Sequence, residues 1–146
     1  MAAEFTANAV QTVGTGSNVI FTDTAIACQR GYVVHREGSG IITLRGIVNC
    51  PSNDFARYEV SFGANIAIPT GGTITDPISI SIAIDGEPLP TSSFEVNPAA
   101  VGDFWGTYVS ANITIPRGCC YVISVENTST QPIEVRNANI KINRTA

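Results

Sequence analysis

Charge is the first thing this sequence is short of. Asp, Glu, Lys and Arg together make up 14% of its 146 residues, against about 25% in an ordinary soluble domain. Lysine occurs once, at Lys141, and histidine once, at His35. A lone domain of this size normally shows more charge outside, so the shortage points to outer surface covered by copies of the chain or by a partner. The alternative is a Ser/Thr/Asn-rich β surface that needs few charges. The net charge of −4, with no Lys/Arg cluster, argues against nucleic acid or an anionic membrane as the main partner.

Long apolar runs are also missing. None approaches the roughly 20 residues of a membrane span. The opening MAAEFTANAV has neither a basic n-region nor an apolar h-region, so it is not a Sec signal. The expectation is a protein made and used without Sec export, or one whose leader has been removed. No P-loop, dinucleotide-binding or nucleophile-elbow pattern occurs. No paired Cys-x-x-Cys lies near a histidine, which argues against zinc. The four cysteines are Cys28, Cys50, Cys119 and Cys120. A Cys28–Cys50 bridge is compatible with the sequence, and small buried apolar thiols are the expected alternative. The sequons at Asn112, Asn127 and Asn143 are read as chance in an Asn/Thr-rich chain.

The 3.6-residue helical period is absent as well. What is present is period two. Tyr58, Val60, Phe62, Ala64, Ile66 and Ile68 alternate with polar or small residues. Ile78, Ile80, Ile82 and Ile84 do the same and run into Asp85-Gly86, a strong hairpin signal. Glu87-Pro-Leu-Pro90 is proline-broken and is expected to be short or at a sheet edge. Trp105, Thr107, Val109, Ala111, Ile113 and Ile115 share one face. Pro116-Arg-Gly118 turns the chain into Cys119, Tyr121, Ile123 and Val125. In the last strand Ile133 and Val135 are one step out of phase with Ala138, Ile140 and Ile142. A bulge or bend near Arg136–Asn137 would reconcile them. Shorter pieces are expected over 4–13, 19–21, 25–28, 31–35, 41–48 and 94–96. About ten strands with turn signals every 8–15 residues imply an all-β jelly-roll β-sandwich, one domain over 1–146.

Several of these pieces, in this order, resemble the trimeric jelly rolls of tumour-necrosis-factor-like and complement-globular-head-like domains. Phe5-Thr-Ala-Asn-Ala9 resembles their first strand and Val19-Ile-Phe21 the start of their second. Arg57-Tyr58-Glu59-Val60-Ser61-Phe62 is similar to their central strand, with Arg57 where Gly is frequent. Ile82-Ala-Ile84-Asp-Gly86 resembles their hairpin. Ile113-x-Ile115-Pro-Arg-Gly118 resembles their Leu-x-Leu-x-x-Gly-Asp turn, with Cys119 in the acidic position. Asn137 to Arg144 resembles the closing strand. Bacterial relatives of this wording are the heads of collagen-like exosporium and other surface glycoproteins. The Gly-X-Y stalk is absent, and stalkless heads of this kind also look like head fibres and capsid decorations of tailed phages.

The resemblance implies a TNF-like fold, a homotrimer, and a structural role on a phage virion assembled in the host cytoplasm. The second implied reading is a receptor- or carbohydrate-binding head on a bacterial cell or spore surface, touching a host glycan through loops 36–40, 69–76 and 97–104. Capsid or other virion proteins are the partners of the first reading. By analogy with the trimers, Tyr58, Phe62 and Tyr121 are expected in core or threefold-axis packing. No catalytic, metal or cofactor-binding residue is assigned, and no enzyme activity is expected. His35 reads as a strand-end polar residue. Asp76, Asp85 and Glu87 read as turn formers rather than a calcium site. Trp105 reads as core, with a sugar-stacking platform as the alternative.

Overall fold

The computed structural model describes residues 2–28, 31–49, 52–73, 77–97 and 99–145. The strands are β1 (Ala2–Ala7), β2 (Gln11–Val13), β3 (Asp23–Ile26), β4 (Val33–His35), β5 (Ile42–Arg45), β6 (Phe55–Ala67), β7 (Ile78–Ile84), β8 (Glu87–Pro88), β9 (Phe94–Val96), β10 (Trp105–Pro116), β11 (Cys120–Asn127) and β12 (Ile133–Arg144). A 3-10 turn, Pro90–Ser92, lies between β8 and β9. The first sheet runs β10-β6-β12-β1-β3, with β2 also on β12; the second runs β4-β5-β11-β7-β8, with β9 also on β7. The two sheets stack as the jelly-roll sandwich that the alternation predicts.

The core follows from the period-two pattern. Tyr58, Val60, Phe62 and Ile66 of β6 are fully buried, as are Ile78, Ile80 and Ile82 of β7. In register, Phe62 faces Val109 on one side and Ile140 on the other. Their inward faces meet Leu44, Ile123 and Val125 of the second sheet in one buried cluster. The first strand is shorter than its sequence suggests. It stops at Ala7, and Gln11–Val13 joins the sheet separately by pairing with Val135–Ile133.

The phase slip in the last strand is a β-bulge. Arg136 pairs with Asn65 but Asn139 pairs with Gly63, so Asn137 and Ala138 together oppose one residue of β6. Asn137 takes the strain at φ 53, a region asparagine tolerates better than most residues. The bulge turns Ile133, Val135, Ala138, Ile140 and Ile142 all inward, where each is buried.

The β10–β11 turn is fixed by a close backbone approach. Gly46 N–H donates to Cys119 O (2.8 Å) and Gly118 N–H to Gly46 O (2.9 Å). A Cβ on residue 46 would lie 2.3 Å from Pro116 O, so only glycine fits. Cys119 and Cys120 stand at this tip and are exposed, contrary to the expectation of buried thiols. Strand β11 begins only at Cys120, and the turn holds Cys119 outside the sandwich. Cys28 is half-buried against the core; Cys50 lies outside the described residues.

Candidate functional site

The chemistry of this molecule lies on its edges and outer faces. The three residues expected in core or threefold-axis packing lie at different depths. Tyr58 and Phe62 are inside the sandwich, whereas Tyr121 is half-buried on β11, opposite Leu44. Phe62 meets Phe21 edge-to-face at 6.1 Å, and Phe21 meets His35 at 6.3 Å. His35 also stacks against Phe5 at 4.4 Å. Its Nε2–H donates to Ser39 O (3.0 Å), closing the β4–β5 hairpin, which leaves Nδ1 buried as an acceptor without a partner among the described residues. Cys28 and Thr24 line the hollow beside it, and no base–nucleophile hydrogen bond joins them to His35 among the described residues. His35 thus acts as a half-aromatic member of the ring cluster, with one polar edge.

Tyr58 carries the clearest electrostatic signature. Its hydroxyl donates to Arg45 O (2.7 Å). Burial pushes the phenol above its ordinary value, and the Arg144 guanidinium partly offsets this. Arg144 lies 4.2 Å from the Tyr32 ring centre and 5.8 Å from that of Tyr58, and donates to Ile47 O. Because the folded phenol ionises later than the unfolded one, the unfolded chain sheds its proton first as pH rises past about 10. The stabilisation is complete below that pH and is lost above it. Tyr58→Phe is expected to flatten the alkaline decline of stability above about pH 10, at a cost near neutrality of about 1 kcal/mol for the lost hydrogen bond. Urea titrations at stepped pH measure both.

Asp85 is a turn former. It sits at φ 51 before Gly86, and its Oδ1 accepts Val122 N–H (3.0 Å). No group of three or more metal-ligating side chains exists among the described residues; Asp76 lies outside them. Asn127 was missed by sequence reasoning. It looks like a sequon in a polar loop, yet it is fully buried. Its Nδ2 donates to Val13 O (3.0 Å) and Gln131 O (2.9 Å), and its Oδ1 accepts Ser129 N–H (3.0 Å). Ser129 and Gln131 are local partners, the i to i+2 pattern that Asn-Thr-Ser could have signalled. The Val13 partner comes only from the tertiary placement of β2.

Trp105 is 44% exposed and Tyr108 61% exposed. Trp105 has the phase of the core but is the first residue of an edge strand, with a neighbouring strand on one side only among the described residues. Tyr108 lies across the outer face of the first sheet and donates to Ser61 Oγ (3.1 Å). Next to it, Gly63 and Gly106 leave a shallow groove of about 490 Å³ walled by Asn65, Asn137 and Asn139. Beyond the opposite side of the sheet, Val10, Ile20, Ile26, Val34 and Ile41 are exposed. At one end of the sandwich a neutral hollow of about 470 Å³ has an apolar floor, Ile68, Pro69 and Pro132, and a rim of Thr12, Thr73, Thr130 and Gln131. Of the three loops proposed for ligand contact, 69–73 borders this hollow; 74–76 and Pro98 lie outside the described residues.

No protein-family model matches the chain, and no curated protein matches its sequence. Solved structures do match its architecture. The globular domain of zebrafish complement 1qA aligns over 99% of this chain and 98% of its own, with TM-score 0.61 at 10% identity. Eiger, a TNF from S. frugiperda, aligns over 100% of this chain and 92% of its own, with TM-score 0.68 at 13% identity. The fold is the TNF-like jelly roll. Within it, the first sheet of this TNF-like domain carries the exposed aromatics on one edge and the longest strands, and the second sheet carries the β4–β5 hairpin. The expected all-β, TNF-like architecture is thereby met. At these identities the likeness extends to fold and not to ligand.

Proposed function

We propose that this TNF-like domain is a homotrimeric, non-enzymatic head that decorates a phage virion, assembling with capsid or other virion proteins in the host cytoplasm. The observation that carries self-association is the set of exposed apolar side chains, Val10, Ile20, Ile26, Val34, Ile41, Trp105 and Tyr108 among them, on a chain with only 14% charged residues. Apolar area of this kind is normally buried in an assembly. The virion setting is supported by the sequence resemblance to stalkless phage heads. Sedimentation equilibrium of the purified chain tests the assembly: three times the 15.4 kDa of the chain is expected at micromolar concentration, and a stable monomer would refute it. Mass spectrometry of density-banded virions tests the setting. Stoichiometric recovery with the particles supports it, and recovery only in the soluble lysate counts against it.

A second reading, a carbohydrate-binding head, is favoured by the neutral hollow at Ile68, Pro69 and Pro132. An apolar floor with hydroxyl and amide rims suits an uncharged sugar. A glycan array with no hits at millimolar avidity would remove this reading.

A further inference from the structure

The turn between β10 and β11 sets two thiols side by side in solvent. Cys119 and Cys120 are both exposed, whereas Cys28 is half-buried against the core. The tip that carries them is held on three sides. Cys119 N–H donates to Pro116 O (3.0 Å), Cys119 O accepts Gly46 N–H (2.8 Å), and Cys120 pairs with Arg45 of β5. A reagent can therefore reach either sulfur without any part of the fold opening.

The same ladder keeps the two sulfurs apart. With Cys120 opposite Arg45 and Cys119 bonded to Gly46, both residues run extended along β5 and its continuation. Neighbouring side chains of an extended strand point to opposite faces. A disulfide needs Cβ atoms about 3.5–4.5 Å apart with converging directions. The pair is unsuited to bridging itself, in contrast to Cys-x-x-Cys, where the second thiol displaces whatever bonds to the first. A group joined to either sulfur here stays until an outside thiol removes it.

Charge selects the group. Arg45, Arg57, Arg117 and Arg144, four of the eight basic residues of the chain, stand at this end of the sandwich. The carboxylates there among the described residues are Asp54, Asp85 and Glu87, and Asp85 is engaged with Val122 N–H. Arg45 shares a face with Cys120, since directly opposed residues have Cβ atoms about 4.5–5.5 Å apart. Its Nη1 donates to Gly31 O (3.3 Å), and Nε of Arg117, two residues before Cys119, donates to Asn53 O (3.0 Å). Guanidiniums fixed in this way draw anions to the tip and repel cations. They also set the tips of two copies against each other, like charge to like.

We propose that the Cys119–Cys120 tip is a thiolation site that takes anionic thiol compounds of the glutathione class from their disulfides, one on each sulfur. The cysteine thiolate attacks one sulfur of the small disulfide. A bond forms between protein sulfur and that sulfur, and the S–S bond of the reagent breaks. Its electron pair leaves with the other half, which departs as a thiolate and takes up a proton. The cysteine is oxidised, and the small disulfide is the oxidant. The site is independent of the self-association reading.

The test uses the full chain with glutathione disulfide, a dianion near neutral pH, and separately with cystamine, a dication. Intact mass and peptide mapping follow the adducts. Each rate is divided by that of an uncharged model thiol, N-acetylcysteine amide, which removes the reactivity of the reagent itself. Glutathione is expected on both sulfurs of the tryptic peptide 118–136. The normalised rate for the dianion should exceed that for the dication by at least about 5-fold at low salt, and the gap should close near 1 M salt. Arg45→Gln should lower the preference by about 2-fold. The double variant Cys119→Ser/Cys120→Ser, its fold checked by melting, should lose both adducts. Tip sulfurs that stay unmodified overturn the proposal, as does an internal Cys119–Cys120 disulfide without added mass. Disulfide-linked dimers as the main product overturn it in favour of a second copy as the partner. Equal normalised rates for the two reagents overturn the selection of anions.

Discussion

Phe62→Ala is expected to cost about 4 kcal/mol of folding free energy. The side chain is fully buried, faces Val109 and Ile140 across β6, and meets Phe21 edge-to-face. Truncating a buried phenylalanine removes its transfer free energy and leaves a cavity that the sandwich only partly fills, a loss of about 3–5 kcal/mol. The aromatic pair adds to this, since such contacts are worth about 0.5–1.5 kcal/mol beyond their area. In a chain of this length the melting temperature should fall by roughly 15 °C. Phe62→Leu, which keeps most of the volume, should lose about a third as much. Chemical denaturation of both variants measures the difference. An alanine variant that keeps its stability but dissociates into monomers would place Phe62 at an interface and contradict its burial in the sandwich.

Asn127→Ala is expected to cost about 3 kcal/mol. The substitution removes the donations to two carbonyls, Val13 O and Gln131 O (the second still accepts Ser129 Oγ at 3.3 Å), and the acceptor that orients Ser129 N–H. Each buried polar group left without a partner costs about 1–3 kcal/mol. Asn127→Asp separates the parts: it preserves the acceptor to Ser129 but loses both donations and buries a carboxylate, so it should be at least as destabilising as alanine. The same variants check that this sequon is structural, because a surface asparagine would change stability by less than about 0.5 kcal/mol. A loss that small for Asn127→Ala would sink the argument.

The fold was readable where each residue's environment depends on its own strand. The alternation of β6 and β7 marked the core face, Asp85-Gly86 marked a hairpin, and the broken phase of β12 located the bulge to within a residue. Sequence failed where a side chain depends on a strand far away. Trp105 carries the core phase, and only the sheet order reveals that no strand pairs beyond it among the described residues. Cys119 shares the core phase of Tyr121, Ile123 and Val125, but the close approach of Gly46 to the turn holds that tip in solvent. Asn127 and Ser92 look like loop residues because their partners, Val13 and Ile82, are reached through tertiary pairing. Of the candidate surface, the shortage of charge was visible in composition, but which apolar side chains come to the surface was not, because that depends on the sheet order.

The pairing of β1 with β12 sets a clock on biosynthesis. Glu4 finds its neighbour in Lys141, so nearly the whole chain must be made before the first strand gains its inner partner. At about 5–20 residues per second, β1 waits on the order of ten seconds with a backbone edge unmatched. Closing so long a loop is slow even once the last strand has emerged. The nascent chain is therefore at its most vulnerable to proteases and to premature strand exchange with its siblings on the same polysome, and its yield should depend more on translation rate and temperature than its final stability would suggest.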